Sequence, residues 1–199
     1  EILNDKYPKT KGIFMATFSN KIKINNVQLK STEPMYSNKS WTGQRIIRST
    51  GIQYYQISFQ LTFNVKDRNE VMKFIAEHSQ GKPFMLSLGH MGVYQGVQTG
   101  ALESQSIATK GTRIVSTNAN SMAVGELIQF QNHNKIYRII DRTDTSLTLF
   151  PALQNTVQIN EPITYNNLII EAVLDPDNDY TMGITNVMNL QLKATENIT

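Results

Sequence analysis

Three histidines and sixteen carboxylates are the residues of this 199-residue chain best suited to proton transfer or metal binding. Their spacing favours neither. His78, His90 and His133 are spread widely and lack the i, i+4 spacing that sets two imidazoles on one helix face for zinc. Cysteine is absent, which excludes thiol catalysis, thiolate metal sites and disulfides. The one compact acidic run is Asp175-Pro176-Asp177-Asn178-Asp179. It opens like a calcium loop, but Tyr180 stands where the loop needs Gly and Asn186 where it needs Glu. Pro and Asp are also ordinary turn formers, so the run reads as an acidic turn. The motifs GxSxG, GxGxxG and GxxxxGK[ST] are all missing. The chain is therefore read as a non-enzyme that holds no metal and no cofactor.

Binding is the remaining class, and charge is its first guide. The net charge is +3, but it is unevenly spread. Residues 1–92 carry thirteen Lys/Arg against six Asp/Glu, whereas residues 161–199 carry one against six. A basic front and an acidic back imply either neutralisation within one fold or a head-to-tail contact between copies. For the second case the candidate basic contacts are Lys21, Lys23, Lys39, Arg45 and Arg48, and the candidate acidic ones are Glu171, Asp175, Asp177 and Asp179. Trp41, the single tryptophan, is read either as an exposed interface anchor or as a core plug. Specific nucleic-acid binding is not expected, because residues 93–160 carry five basic against four acidic side chains and no basic stripe. No run of about 18 apolar residues suggests a membrane span. The polar, mixed-charge residues 1–11 do not look like a signal peptide.

The elements that must position these residues are mostly strands. Ile13–Phe18 is a β-like apolar run, and Lys21–Ile24 alternates. Glu33–Lys39, with Pro34 inside, reads as a loop. Thr42–Ser49 and Ile52–Val65 follow, with Thr50-Gly51 as the turn of a hairpin between them. In the second of these, Tyr55, Ile57, Phe59, Leu61, Phe63 and Val65 share one parity, and Gln56, Ser58, Gln60, Thr62 and Asn64 share the other. Asp67–Gln80 is the one clear helix. Asp67 and Glu70 are placed as in a capping box, and Val71, Phe74, Ile75 and His78 form one stripe. Gly81 and Pro83 end it.

After Phe84–Leu88 and a glycine cluster, Gly89 to Gly100, the texture changes. Five short strands are expected at 105–109, 112–117, 126–131, 135–140 and 146–150, with turn signals between them, which suggests a small barrel of the OB type. After Pro162 the longer elements return, at 163–174 and 183–195. The expected fold is mainly β. Residues 1–92 and 163–199 form a β-sandwich or split-barrel ring domain with one helix, and residues 93–162 form an inserted OB-like barrel.

Three segments carry a family resemblance. One is Arg48-Ser49-Thr50-Gly51-Ile52-Gln53-Tyr54-Tyr55-Gln56-Ile57 running into the long alternating strand. The second is the acid-capped helix followed by Gly81-Lys82-Pro83-Phe84. The third is Val124–Phe130, Lys135–Ile139 and Leu147–Leu153, a three-strand meander that turns at Asn132–Asn134 and stops at Pro151. Together they resemble the distal tail (Dit) proteins of tailed bacteriophages, in their short form. The resemblance implies a ring-forming virion component, most often a hexamer, made in the host cytoplasm. It would join the tail tube protein to the tail-tip or baseplate hub protein, with the tape-measure protein passing through. The alternative it leaves is a tail-tip module that binds a carbohydrate or receptor on the host surface.

Overall fold

Alternation at period 2 sets the centre of the molecule. The computed structural model describes residues 14–15, 18–183 and 185–198. Its longest strand, β5, spans Tyr54–Asn64 and follows β1 (Phe14–Met15), β2 (Lys23–Thr32), β3 (Met35–Lys39) and β4 (Arg45–Ser49). Tyr55, Ile57, Phe59, Leu61 and Phe63 are all buried, while the polar residues between them are half-buried. The helix α1 (Arg68–His78) and β6 (Phe84–Ser87) come next. After a long excursion the chain returns as β13 (Ile169–Leu174) and β14 (Val187–Glu196). These strands form one sheet in the order β1-β6-β13-β14-β5-β2. β14 runs antiparallel to β5, from Val187 opposite Asn64 to Thr195 opposite Gln56. Its buried parity, Met188, Leu190, Leu192 and Ala194, thus lies on the same face as that of β5.

Helix α1 covers that face. Val71, Phe74, Ile75 and His78 are its buried residues, and Phe74 stacks edge-on against Phe84 at 5.1 Å and Phe18 at 5.0 Å. His78 is a core residue whose Nδ1 lies 3.0 Å from the Lys82 carbonyl. The start of the helix differs from the expected capping box. Asp67 occupies the cap position but makes no side-chain cap bond, and instead meets Lys21 at 3.5 Å. Asn64 does the capping one turn earlier, accepting from Lys66 N–H on a 3-10 turn over Val65–Asp67. Glu70 accepts from both Ser19 N–H and Ser19 Oγ–H, which ties the preceding chain to the helix. Gly81, at φ +87°, supplies the left-handed exit.

The excursion builds a second sheet: β7 (Leu102–Glu103), β8 (Ile114–Ser116), β9 (Leu127–Phe130), β10 (Ile136–Thr143), β11 (Ser146–Phe150) and β12 (Pro162–Thr164). The order is β7-β12-β9-β10-β11-β8. The sheet curls until its two edges meet through a bridge between Ser104 and Thr117, so it encloses a second core of Phe130, Tyr137, Ile139, Leu147, Leu149 and their neighbours. The meander β9-β10-β11 is the one expected, turning at residues 131–135 and ending at Phe150 before Pro151. Both ends of the excursion lie together. Leu168 N–H donates to Gly92 O at 3.2 Å, and a Cβ at Gly92 would stand 3.0 Å from Leu168 N.

Four expected elements come out differently. The expected element 163–174 divides into β12, which joins the second sheet with Ile163 in its core, and β13, which joins the first. Residues 105–109 do not form a strand and make one bridge, Ala108 to Val157. Val187, not residue 183, opens the last strand. Met35–Lys39, expected as loop, is strand β3, and it pairs with β4 through Met35–Ser49 to Lys39–Arg45. The hairpin therefore joins β3 to β4, not β4 to β5. Pro34 sits just before β3 and blocks no ladder bond there. Of the run 13–18, Phe14–Met15 is strand, Phe18 is described, and the remainder lies outside the described residues.

Candidate functional site

The hairpin β3–β4 is the most exposed part of the described protein. All ten of its strand residues are exposed, including Met35, Tyr36, Ile46 and Ile47. Its turn, Ser40 to Gln44, is closed by Ser40 N–H to Gln44 O and Gly43 N–H to Ser40 O, with Gly43 at φ +84°. That turn carries Trp41, which is as exposed as in an unfolded peptide (108%). The alternative of a core plug is thus removed. The register sets Lys39 directly opposite Arg45 and Tyr36 opposite Arg48. Three of the sequence-predicted basic residues and Trp41 are brought together on this one element. Sequence reading missed Met35 and Tyr36, because a segment taken as loop has no face to assign, and Ile46 and Ile47, because their strand was paired with β5 in place of β3.

The other predicted contacts separate. Lys21 is engaged with Asp67 within the protomer. Lys23 lies on β2 opposite Thr62, exposed on the sheet's outer face. Glu171 is buried, accepting from Asn197 Nδ2 at 2.6 Å, so it offers no surface contact, contrary to expectation. Asp175, Asp177 and Asp179 remain on the loop between β13 and β14. Asp175 accepts from Thr195 Oγ1 at 2.6 Å, Asp177 meets Lys193 at 3.4 Å, and Asp179 accepts from Thr181 Oγ1 at 2.6 Å. The Thr181 hydroxyl and amide hold the Asp179 carboxyl below its ordinary range. The three carboxylates turn to three separate partners, and among the described residues no group of three acidic, His or Cys side chains is gathered as a metal site.

The outer face of the first sheet is polar and carries Lys23, Lys30 and Lys193, opposite Thr62, Gln56 and Ser58, among amides and hydroxyls that bond to one another. Asn25 Nδ2 donates to Thr62 Oγ1, Asn26 Nδ2 to Gln60 Oε1, Thr32 Oγ1 to Gln56 Oε1, and Thr62 Oγ1 to Asn189 Oδ1, all within 2.7–3.1 Å. These bonds cross from β2 through β5 to β14. These uncharged side chains satisfy one another, Lys193 meets Asp177 at 3.4 Å, and Lys23 and Lys30 are exposed.

Polar groups also join the two sheets. Glu196, at the end of β14, accepts from Lys135 Nζ at 2.5 Å, from Tyr55 N–H at 3.0 Å and from Ile136 N–H at 3.2 Å. Lys135 Nζ sits 4.9 Å above the Tyr55 ring. Burial pushes the Lys135 ammonium below its ordinary value, and Glu196 opposes that. Leu127 and Ile136, from the second sheet, complete the first core. Above this junction lies a cleft of about 440 Å³ lined by Ile52, Lys110, Lys135, Gln154, Asn155 and Asn197 among others. Its buried cation is already neutralised by Glu196. At the far end of the second core, His133 Nε2 stands 3.8 Å from Glu161 Oε1, both buried, and burial lowers the imidazole's affinity for a proton.

No family model matches this chain, and no curated protein is significantly similar to it. Among the described residues no helix is long and apolar enough to cross a membrane.

Proposed function

We propose that this chain is a ring-forming structural component of a phage tail, a distal tail or baseplate adaptor between the tail tube and the tail-tip hub. The observation that carries the reading is topological. A six-stranded sheet with one covering helix is interrupted between β6 and β13 by a second sheet that curls onto itself, the arrangement expected of a ring domain carrying an OB-like barrel. The subunits meet head to tail, most readily as a hexamer, and the ring lies in the virion. Neighbouring partners are the tail tube protein and the hub protein.

The test is direct. Purified protein examined by negative-stain electron microscopy and by light scattering across a concentration series gives rings of one size. A protein that stays monomeric at every concentration overturns the proposal.

A further inference from the structure

We propose that the cleft at the junction of the two sheets binds an extended acidic peptide segment of a partner protein, held by Lys110 and by the carboxamides of Asn134, Gln154 and Asn155. Such a site goes beyond the ring reading above and does not depend on it.

The cleft holds about 440 Å³, within the range of ~300–1,000 Å³ usual for ligand sites, and it lies between two folded units, where such sites concentrate. Its walls come from the chain before β5, the turn between β9 and β10, residues 110–111 and the segment 152–155 that follows β11. The backbone of these walls is pinned. Gly111 N–H donates to Leu153 O at 2.7 Å, Leu153 N–H to Thr112 O at 2.8 Å, and Gln154 N–H to the Tyr137 hydroxyl at 3.1 Å. Gln129 Nε2 donates to the His133 and Asn134 carbonyls, both at 3.3 Å. A ligand therefore meets a preformed site and orders little protein on entry.

The side chains on those walls are uncommitted. Among the described residues, the carboxamides of Asn134, Gln154 and Asn155 make no hydrogen bond within the protomer, although Asn134 and Gln154 are half-buried. Lys110 is exposed and has no ion-pair partner among them.

Charge selects an acidic ligand. No acidic side chain lines the cleft, and the Lys135 ammonium is already matched by Glu196. Lys110 thus supplies the unneutralised charge, which a ligand carboxylate completes. The carboxamides select a peptide. Each carries an acceptor beside its donors, so it can accept a peptide N–H and donate to a peptide carbonyl. Ile52 and Ile198, both exposed, offer aliphatic area to the peptide's side chains. No aromatic ring lines the cleft, so it lacks the flat face on which a sugar ring stacks.

A synthetic library of random octapeptides, incubated with the full chain and read by affinity selection and mass spectrometry, is the probe. The retained peptides carry Asp or Glu beside an aliphatic residue. One of them, labelled with fluorescein, is then titrated by anisotropy. Lys110→Glu lowers its association constant at least about tenfold, and Gln154→Ala with Asn155→Ala lowers it about fivefold. Lys73→Glu, at an exposed position on α1 outside the cleft, changes it by less than about twofold. Circular dichroism is the same for all variants. Acidic peptides that respond to Lys73→Glu as strongly as to Lys110→Glu overturn the site, as do retained peptides that are neutral or basic. A library from which nothing is retained also overturns it, and oligogalacturonate binding that depends on Lys110 then assigns the cleft to an acidic saccharide. Light scattering on the same samples tests the ring reading separately.

Discussion

Lys135 Nζ lies 2.5 Å from Glu196 Oε2, both side chains buried, and the pair bridges the last strand of the first sheet to the second sheet. Breaking one side of a buried pair leaves an uncompensated charge, which costs more than the pair contributes. Glu196→Ala should therefore destabilise the protein by about 3–5 kcal/mol, since it strands the ammonium and two backbone N–H groups. Lys135→Met combined with Glu196→Gln should recover at least half of that loss. Urea unfolding of the three variants is the measurement, and a cost of Glu196→Ala below about 1 kcal/mol would show the junction to be solvated.

The same junction bears on whether the two sheets separate. Gly92 and Leu168 are hydrogen-bonded neighbours, so a short Gly/Ser linker can replace residues 93–167, which include all of the second sheet, without stretching the chain. The excised protein, however, loses Leu127 and Ile136 from the first core and Lys135 from Glu196. It should fold, as judged by circular dichroism, more stably with Glu196→Gln than with Glu196 retained. An excised chain unfolded in both forms would mean that the first sheet depends on the second.

Burial lowers the proton affinity of His133 from its ordinary 6.5, with Glu161 opposing. Below about pH 6.5 the unfolded chain takes up a proton that the folded state accepts less readily, so stability falls as pH drops. His133→Phe should flatten this acid limb. Equal slopes of stability against pH in the two proteins would assign the limb to other groups.

Tyr137 behaves in the opposite sense. Its hydroxyl accepts from Gln154 N–H at 3.1 Å, and burial pushes it up to about 12 from 10.0. A raised folded value gives a contribution that is complete below pH 10 and is lost as pH rises toward 12. The loss is about 2–3 kcal/mol across that window. Ultraviolet titration should show this tyrosine ionising only as the protein unfolds.

Phe74→Ala should cost about 3–5 kcal/mol, because the ring is buried between Phe18 and Phe84. Asp67→Ala should cost under about 1 kcal/mol, since the half-buried side chain pairs with an exposed Lys21 and makes no cap bond. A larger loss at Asp67 than at Phe74 in thermal melts would reverse this account of the helix.

Local periodicity carried much of the architecture. The apolar parity of β5, the stripe Val71–Phe74–Ile75–His78 and the meander 127–150 were legible because each depends on side-chain spacing within one element, and the chain's own geometry turns spacing into a face. Pairing is different. Strand β4 has equal reach to β3 and to β5, and what decided was that β14 and β2 already occupy both edges of β5, a fact of the whole sheet. Charge is different again. Composition counted six carboxylates in residues 161–199 as one acidic surface, yet Glu161, Glu171 and Glu196 are held inside by amides and a lysine far away in sequence. The sequence by itself determined which residues are apolar, charged or able to turn. Only the tertiary structure decided which charges stay in water, because desolvation depends on the partners that folding brings within reach.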